Sequence, residues 1–316
     1  MQSSTVDPAK AVPANRSLEP QPASAELLQI SLVIPAYNEE DGILSTVAEA
    51  KAVLGGMAEL GAWEIVVVDD GSADRTAEVL AGIEGVRVVR HPHNGGYGRA
   101  LKSGMTAARY DTVVMTDADL TYPLDELPHM LALYKKGFDL VVGARTGREY
   151  RQTVIKAPLR SVLRWLVEYT TGRQILDINS GFRVLNKNTV ANYFPHLCDT
   201  FSFTTSMTLS YMMTGRFVAY HPIPYRERIG KTKVRMLRDS LRTLQYIAQA
   251  TVYYNPLKIF VLMAAIALVG SAVGFLISIF FGLLIGYILG LAGILLAFLM
   301  FSFGLMTVVL KQIMDK

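Results

Sequence analysis

Two aspartates stand one residue apart at positions 117 and 119, at the end of the run T-V-V-M-T-D-A-D-L-T-Y-P over residues 112–123. A short β-branched apolar run reads as a buried strand, so both carboxylates fall at its carboxyl end. That edge is where open α/β sheets bind ligands. Two carboxylates so close repel unless a cation lies between them, and hard oxygen donors suit Mg²⁺ or Mn²⁺. A D-x-D is common as surface acid; its meaning here comes from other polar clusters placed in the same way.

Those clusters recur along the chain. An expected strand at residues 30–34, stopped by Pro35, leads through A-Y-N-E-E into an amphipathic helix over 43–60. A second strand at 64–68 ends in Asp69-Asp70-Gly71-Ser72, with Asp74 or Ser72 available to cap the next helix. A third at 86–90 precedes H-P-H-N-G-G-Y-G-R-A-L-K. The fourth carries D-A-D, and a fifth at 139–142 runs into Gly143-Ala144-Arg145. Strands alternating with helices imply an α/β, Rossmann-like, mostly parallel sheet with helices on both faces. Each polar cluster follows a strand, so the five loops should line one crevice.

Glycine spacing excludes several nucleotide folds. No G-x-x-x-x-G-K-[ST] occurs, and the 95–98 glycine cluster lacks the dinucleotide spacing and follows the third strand. The first loop is acidic and has no glycine, unlike the Gly-rich basic loop expected of a sugar nucleotidyltransferase.

Composition sets the remaining bounds. The chain has 316 residues, a net charge of +4 and 51% hydrophobic residues. The apolar excess lies at the end: residues 259–310 contain no Asp, Glu, Lys or Arg. As helix that stretch reaches about 78 Å, enough for two crossings of a ~30 Å hydrocarbon core. Spans are expected at 257–280 and 287–310, divided near 281–286. Lys258, Lys311 and Lys316 flank them while the turn carries no charge. By the positive-inside rule both termini, and with them the N-terminal domain, are expected in the cytosol, on the cytoplasmic membrane. With no ionisable residue in either span, they anchor rather than conduct. Residues 1–28, rich in Pro, Ala and Ser, read as a disordered tail without a signal sequence. The single cysteine, Cys198, fits buried packing. No feature marks a nucleic-acid partner, and homo-oligomerisation stays open.

Two further segments have helical apolar spacing with a basic face, 159–170 and 234–252. The first fits a core helix and a membrane-interface helix equally. The second leads directly into the apolar tail and is read as interfacial. His91, His93 and His221 are read as loop histidines, with His93 the one near the crevice; Arg99 and Lys102 are read as solvated helix charges or phosphate contacts.

Six motifs occur in order: I-P-A-Y-N-E-E, V-V-D-D-G-S-A-D-R-T, N-G-G-Y-G-R-A-L, D-A-D-L, S-G-F-R and R-E-R-I-G-K-T-K. Together they resemble the inverting nucleotide-sugar glycosyltransferases of family 2, with a GT-A fold, over about residues 29–235. The branch is similar to dolichol-phosphate mannose synthase and bacterial polyprenyl-phosphate glycosyltransferases. With the readings above, the expected domain order is tail (1–28), GT-A domain (29–233), interfacial helix (234–256) and two transmembrane helices (257–311). The resemblance implies a hexosyltransferase acting on a UDP-glucose or GDP-mannose type donor and a polyprenyl or dolichyl phosphate acceptor, in cell-envelope glycosylation. Pro35, Tyr37 and Glu39 would surround base and ribose, with Asp69 or Asp70; Ala118 belongs to the same donor site. Asp117 and Asp119 would hold Mg²⁺ or Mn²⁺ against the diphosphate. Arg145 and Arg183 would lie near the acceptor phosphate, and Arg228, Lys231 and Lys233 on a basic loop over both phosphates. Two positions depart from the branch: Thr121 stands where Gln often helps ligate metal, and Pro123-Leu124-Asp125 replaces Pro-Pro-Glu. Water is then left as the metal's third contact. A different lipid or glycan acceptor, or a catalytically silent nucleotide-binding adaptor, are the alternatives; the intact D-A-D and basic loop speak against silence.

Overall fold

The computed structural model describes residues 27–146, 157–226 and 236–314. The expected basic loop with Arg228, Lys231 and Lys233, and nearly all of the expected tail, lie outside the described residues.

The chain begins β1 (Leu28–Ala36), α1 (Ile43–Gly56), β2 (Leu60–Asp69), α2 (Thr76–Ala81), β3 (Arg87–Arg90), α3 (Tyr97–Ala107) and β4 (Thr112–Met115). It continues with α4 (Leu127–Tyr134), β5 (Leu140–Thr146), α5 (Ala157–Thr171), β6 (Arg183–Asn186) and α6 (Lys187–Ala191). Last come α7 (Phe203–Met213), β7 (Val218–Pro224), α8 (Met236–Tyr254), α9 (Pro256–Phe281) and α10 (Leu284–Met314). The strands form a seven-stranded sheet in the order β3-β2-β1-β4-β6-β5-β7. All neighbours are parallel except at β6, which is antiparallel to both β4 and β5.

The core follows from strand alternation. In β1, Ile30, Leu32 and Ile34 point into one apolar cluster with α1 and α4. Val33 points into the other, with Leu101 and Met105 of α3 and Phe203 and Met207 of α7. A strand buried on both faces favours apolar residues at odd and even positions alike, which makes residues 32–36 read as a continuous run, while the buried Ser31 is satisfied by Glu64 Oε1 and Tyr110 N.

Two expectations about the sheet change. Pro35 does not stop β1, which runs on to Ala36 with Pro35 in register with Val68. Ala36 O accepts from Asp70 N and Val33 O from Thr116 N, so odd residues face β4. The last β4 partner is Met115, opposite Val33. At Pro35 that neighbour has already left the ladder, and the missing N–H costs nothing. The strand β6 was not foreseen: R-V-L-N is four residues long and directly joined to a helix, too short for alternation to show.

The apolar tail is a hairpin. Both helices are long and apolar enough to cross a membrane, with mean hydropathies of 2.6 and 2.5. The turn is tighter than expected: Gly282, at φ 64°, donates its N–H to Ser278 O and α10 begins at Leu284 rather than Tyr287. Gly274 meets Gly286 and Gly290 where a Cβ would lie 2.9 Å from backbone atoms. Ser271 Oγ donates to Gly290 O at 2.5 Å. Small residues let the helices approach closely, as membrane helices do. The outward side chains stay exposed, Phe280 by 76%, a surface that needs lipid rather than water.

Helices α5 and α8 join this hairpin to the sheet. Val167 of α5, Leu209 and Met212 of α7 and Ile247 of α8 form one buried cluster. On their other sides Trp165, Leu241 and Leu244 are exposed. Both amphipathic helices therefore pack on the domain with one face and leave apolar side chains outward. Lys258, at the start of α9, donates from Nζ to Tyr169 O and Thr170 O. Lys311 Nζ donates to Tyr254 O at 3.0 Å.

Candidate active site

A cleft of about 250 Å³ opens at the carboxyl ends of β1, β2 and β4. Pro35, Ala36, Tyr37 and Glu39 line it from the β1 end, Asp70 from the β2 end, Gly96 from the β3–α3 loop and Tyr97 from the first turn of α3. Asp117, Ala118 and Asp119 come from the β4 loop and Phe201 from the segment before α7. Four of the five expected loops thus meet. The loop after β5 contributes no lining residue among those described.

The two aspartates are oriented by neutral hydroxyls. Tyr97 donates its phenol to Asp117 Oδ1 at 2.9 Å. Burial and then the Asp117 charge hold the Tyr97 hydroxyl well above its ordinary pKa, so it remains a donor. Asp119, buried, accepts at Oδ1 from Thr121 N (3.2 Å) and Thr121 Oγ1 (2.6 Å). Thr121 therefore anchors a carboxylate, which gives this departure from the family pattern a job of its own. Leu120 between them sits at φ 59°, a left-handed conformation that costs a non-glycine residue about 1–2 kcal/mol and turns the chain sharply. Gly181 backs the site: a Cβ there would lie 2.8 Å from both Asp117 Oδ1 and Tyr97 Oη. The donor set fits a divalent cation, with two oriented carboxylates at the rim of one cleft and oxygen as the only ligand type.

The first two loops are clipped together. Asn38, at φ 52°, donates its N–H to Ser72 Oγ and accepts from Ala73 N. Glu39 N donates to Thr76 Oγ1 (2.8 Å), while Glu40 Oε2 accepts from Arg75 N and Nε. Glu40 is thus committed to the loop, with Glu39 beside the cleft. Asp74 serves here as well, its Oδ2 accepting from Glu40 N, and its Oδ1 accepts from Thr76 N, the first amide of α2, from one residue before the N-cap Arg75. Burial opposes its ionisation, but hydrogen bonds from Thr76 and Glu40 outweigh that and hold it below the usual carboxylate range.

Asp70 and Asp69 divide their roles. Asp70 Oδ1 accepts from Gly95 N (2.9 Å) and meets His91 Nδ1 at 2.6 Å, while Oδ2 accepts from Gly96 N (2.8 Å). It holds the glycine loop against the cleft. Asp69 accepts from Ser72 N and faces Arg90 Nε at 3.3 Å, off the cleft lining. His91, which also meets Ser103 Oγ at 2.9 Å, is the histidine tied to the site; His93 is exposed. His221 is in strand β7 rather than a loop. Lys102 donates to Leu197 O and Asp199 Oδ1, a structural use, and Arg99 is exposed.

The two expected acceptor arginines separate. Arg145 forms a two-pronged pair with Asp177, Nε to Oδ2 at 2.7 Å and Nη2 to Oδ1 at 2.9 Å, and stands over the Tyr225 ring. Burial pushes the Asp177 carboxyl up, but Arg145 more than offsets this and holds it below its ordinary range. Arg183 is fully buried, against the expectation of a phosphate contact. Its Nε donates to Ser180 O, Nη2 to Ile178 O and Nη1 to Thr208 Oγ1. A guanidinium so enclosed ties the S-G-F-R turn to α7. Sequence reasoning did not single out Asp177, Tyr97, Phe201 or Tyr122, whose hydroxyl accepts from Gly181 N. The signal available was position alone, beside motifs already marked.

A mixed sheet in this strand order, with a carboxylate pair after β4, is the GT-A glycosyltransferase architecture. The chain belongs to glycosyl transferase family 2, whose model matches residues 31–202. It is 32% identical to a dolichyl-phosphate hexose transferase of Haloferax volcanii over 65% of this chain and 86% of that one. It is 28% identical to an undecaprenyl-phosphate 4-deoxy-4-formamido-L-arabinose transferase of Klebsiella pneumoniae, over 79% and 76%. The fold is also that of glucosyl-3-phosphoglycerate synthase from Mycobacterium tuberculosis, solved with Mn²⁺, UDP and phosphoglyceric acid. The TM-score is 0.56 at 22% identity, covering 71% of this chain and 78% of that one.

Proposed function

We propose that this protein transfers a sugar from a nucleoside-diphosphate donor to a polyprenyl phosphate at the membrane surface, inverting the anomeric centre. The observation that carries the reading is the direct attachment of the catalytic domain to the apolar hairpin. Tyr169 Oη donates to Lys258 O, Lys258 returns two bonds to α5, and Thr170 meets Thr251 of α8. A domain fixed this way is suited to an acceptor whose phosphate lies at the interface and whose chain stays in lipid.

The chemistry asks little of a base. A phosphomonoester is largely dianionic near neutrality, with a second pKa of ~6, and attacks without giving up a proton. The harder tasks are to bring two anions together and to stabilise the leaving diphosphate. Tyr37 and Glu39, with Phe201 stacked on Tyr97 at 5.7 Å between centroids, shape the donor pocket. Asp117 and Asp119 would hold Mg²⁺ or Mn²⁺, which supplies charge compensation to the departing nucleoside diphosphate. Arg145, fixed by Asp177, is the positioned cation proposed for the acceptor. Arg228, Lys231 and Lys233 are proposed to close over both phosphates. Purified protein given Mg²⁺ or Mn²⁺, a short polyprenyl phosphate and a panel of UDP- and GDP-sugars tests the reading. Formation of an acid-labile polyprenyl-phosphate sugar supports it; transfer only to neutral lipids or glycans rejects it.

A further inference from the structure

Three side chains converge at β7, the edge strand farthest in the sheet from β3. Glu126 ends the short 3-10 turn that precedes α4, His129 follows in α4, and His221 comes from β7. Glu126 Oε2 lies 2.8 Å from His221 Nε2 and 3.1 Å from His129 Nδ1. The imidazoles stack, with centroids 5.5 Å apart and planes 20° from parallel. One donor atom from each of the three residues lies within 4.8 Å of the others. None of the three lines the donor cleft.

Both imidazoles, from two different elements, turn a ring nitrogen toward the same oxygen, Glu126 Oε2, so three donor atoms share one point. Glu-x-x-His on a helical turn joined by a histidine from a neighbouring element is a ligand arrangement metals use. Two imidazoles with one carboxylate suit Zn²⁺ rather than Mg²⁺.

We propose that Glu126, His129 and His221 form a second divalent-metal site, selective for borderline cations of the Zn²⁺ class and separate from Asp117 and Asp119. Such an ion would staple β7 to the segment following D-A-D. That junction already carries Arg226, which donates to Asp125 Oδ1, Glu49 Oε1 and, through its N–H, Thr121 O.

The test uses the full chain in neutral detergent, without a polyhistidine tag, titrated with Co²⁺ and then Zn²⁺. An Asp119→Asn background weakens the other carboxylate pair as a source of signal. The expected result is saturable Co²⁺ uptake with visible d–d bands, displaced by Zn²⁺. His129→Ala and His221→Ala should each weaken Co²⁺ binding at least tenfold. If either melts early without metal, Glu126→Gln, which keeps the size and one acceptor, should show the same loss. Equal Co²⁺ affinity in all variants, or no uptake by the Asp119→Asn protein, overturns the proposal.

Discussion

Asp119 is held at one oxygen by Thr121, so its charge is aimed rather than free to rotate. Asp119→Ala is expected to abolish transfer while leaving thermal unfolding near wild type, because the carboxylate serves the leaving group. Retention of more than about a tenth of turnover at saturating metal, a loss under ~1.4 kcal/mol, would reject that role. The Arg145–Asp177 pair predicts a pH dependence. Asp177 has its carboxyl held below the ordinary value of ~3.9. Its contribution is therefore complete above that unfolded value and lost as pH falls through the lower, folded one. Unfolding of wild type and Asp177→Asn followed from neutral pH into acid should show a constant gap that closes only at the acid end; a gap that closes near neutrality contradicts the pairing.

Arg183 points the other way. Its three hydrogen bonds all go to the protein interior, so Arg183→Leu should lose on the order of 3 kcal/mol or more of stability. A variant that melts normally but binds the lipid phosphate poorly would restore the acceptor role. The two arginines show what a sequence hides. A motif places Arg145 and Arg183 beside the same loops, and only packing shows that one meets Asp177 over an aromatic ring and the other fills a turn. Alone a D-x-D has a common structural use as surface acid; Asp117 and Asp119 were legible because polar clusters end the other strands in the same way. Asp177, Tyr97 and Phe201 have many structural uses, and their spacing identifies none of them.

At the scale of elements, the strand ends decide the site, and each apolar run of β1, β2 and β4 was legible because burial on both faces removes polar residues. What failed was context: Pro35 is tolerated only because β4 ends early, and β6 is defined by its neighbours rather than by its own four residues. The turn entering β6 brings Gly181 against Asp117 and Tyr97. Gly181→Ala should displace both side chains and cut turnover at least tenfold, with a smaller effect on melting; unchanged kinetics would mean the aspartate can move without loss. The basic segment between β7 and α8 belongs to this scale too. Lys231→Ala with Lys233→Ala should reduce turnover strongly even in neutral detergent if these cations act on the reacting phosphates. Normal activity there, with loss only on anionic bilayers, would assign them to surface attraction, worth about 1 kcal/mol each.

For the whole molecule, the two ends of the hairpin and the catalytic domain are proposed to share one side of the membrane, with the turn on the other. The turn at Gly282-Leu283 is uncharged, while Lys258 and Lys311 stand at the other end, each donating to carbonyls at the carboxyl ends of α5 and α8. Those lysines cannot enter lipid without losing their partners, and the nucleotide-sugar donor is expected in the cytosol, so the turn should face outward. The sequence offers a clean probe, since its single cysteine, Cys198, is buried. A cysteine placed at the turn by Leu283→Cys should react with a membrane-impermeant maleimide added to cells whose cytoplasmic membrane is intact. One placed in the domain by Arg75→Cys should react only after permeabilisation. Labelling of both from outside, or of Arg75→Cys alone, would put the catalytic cleft on the wrong side for a cytosolic donor and reverse the proposed orientation.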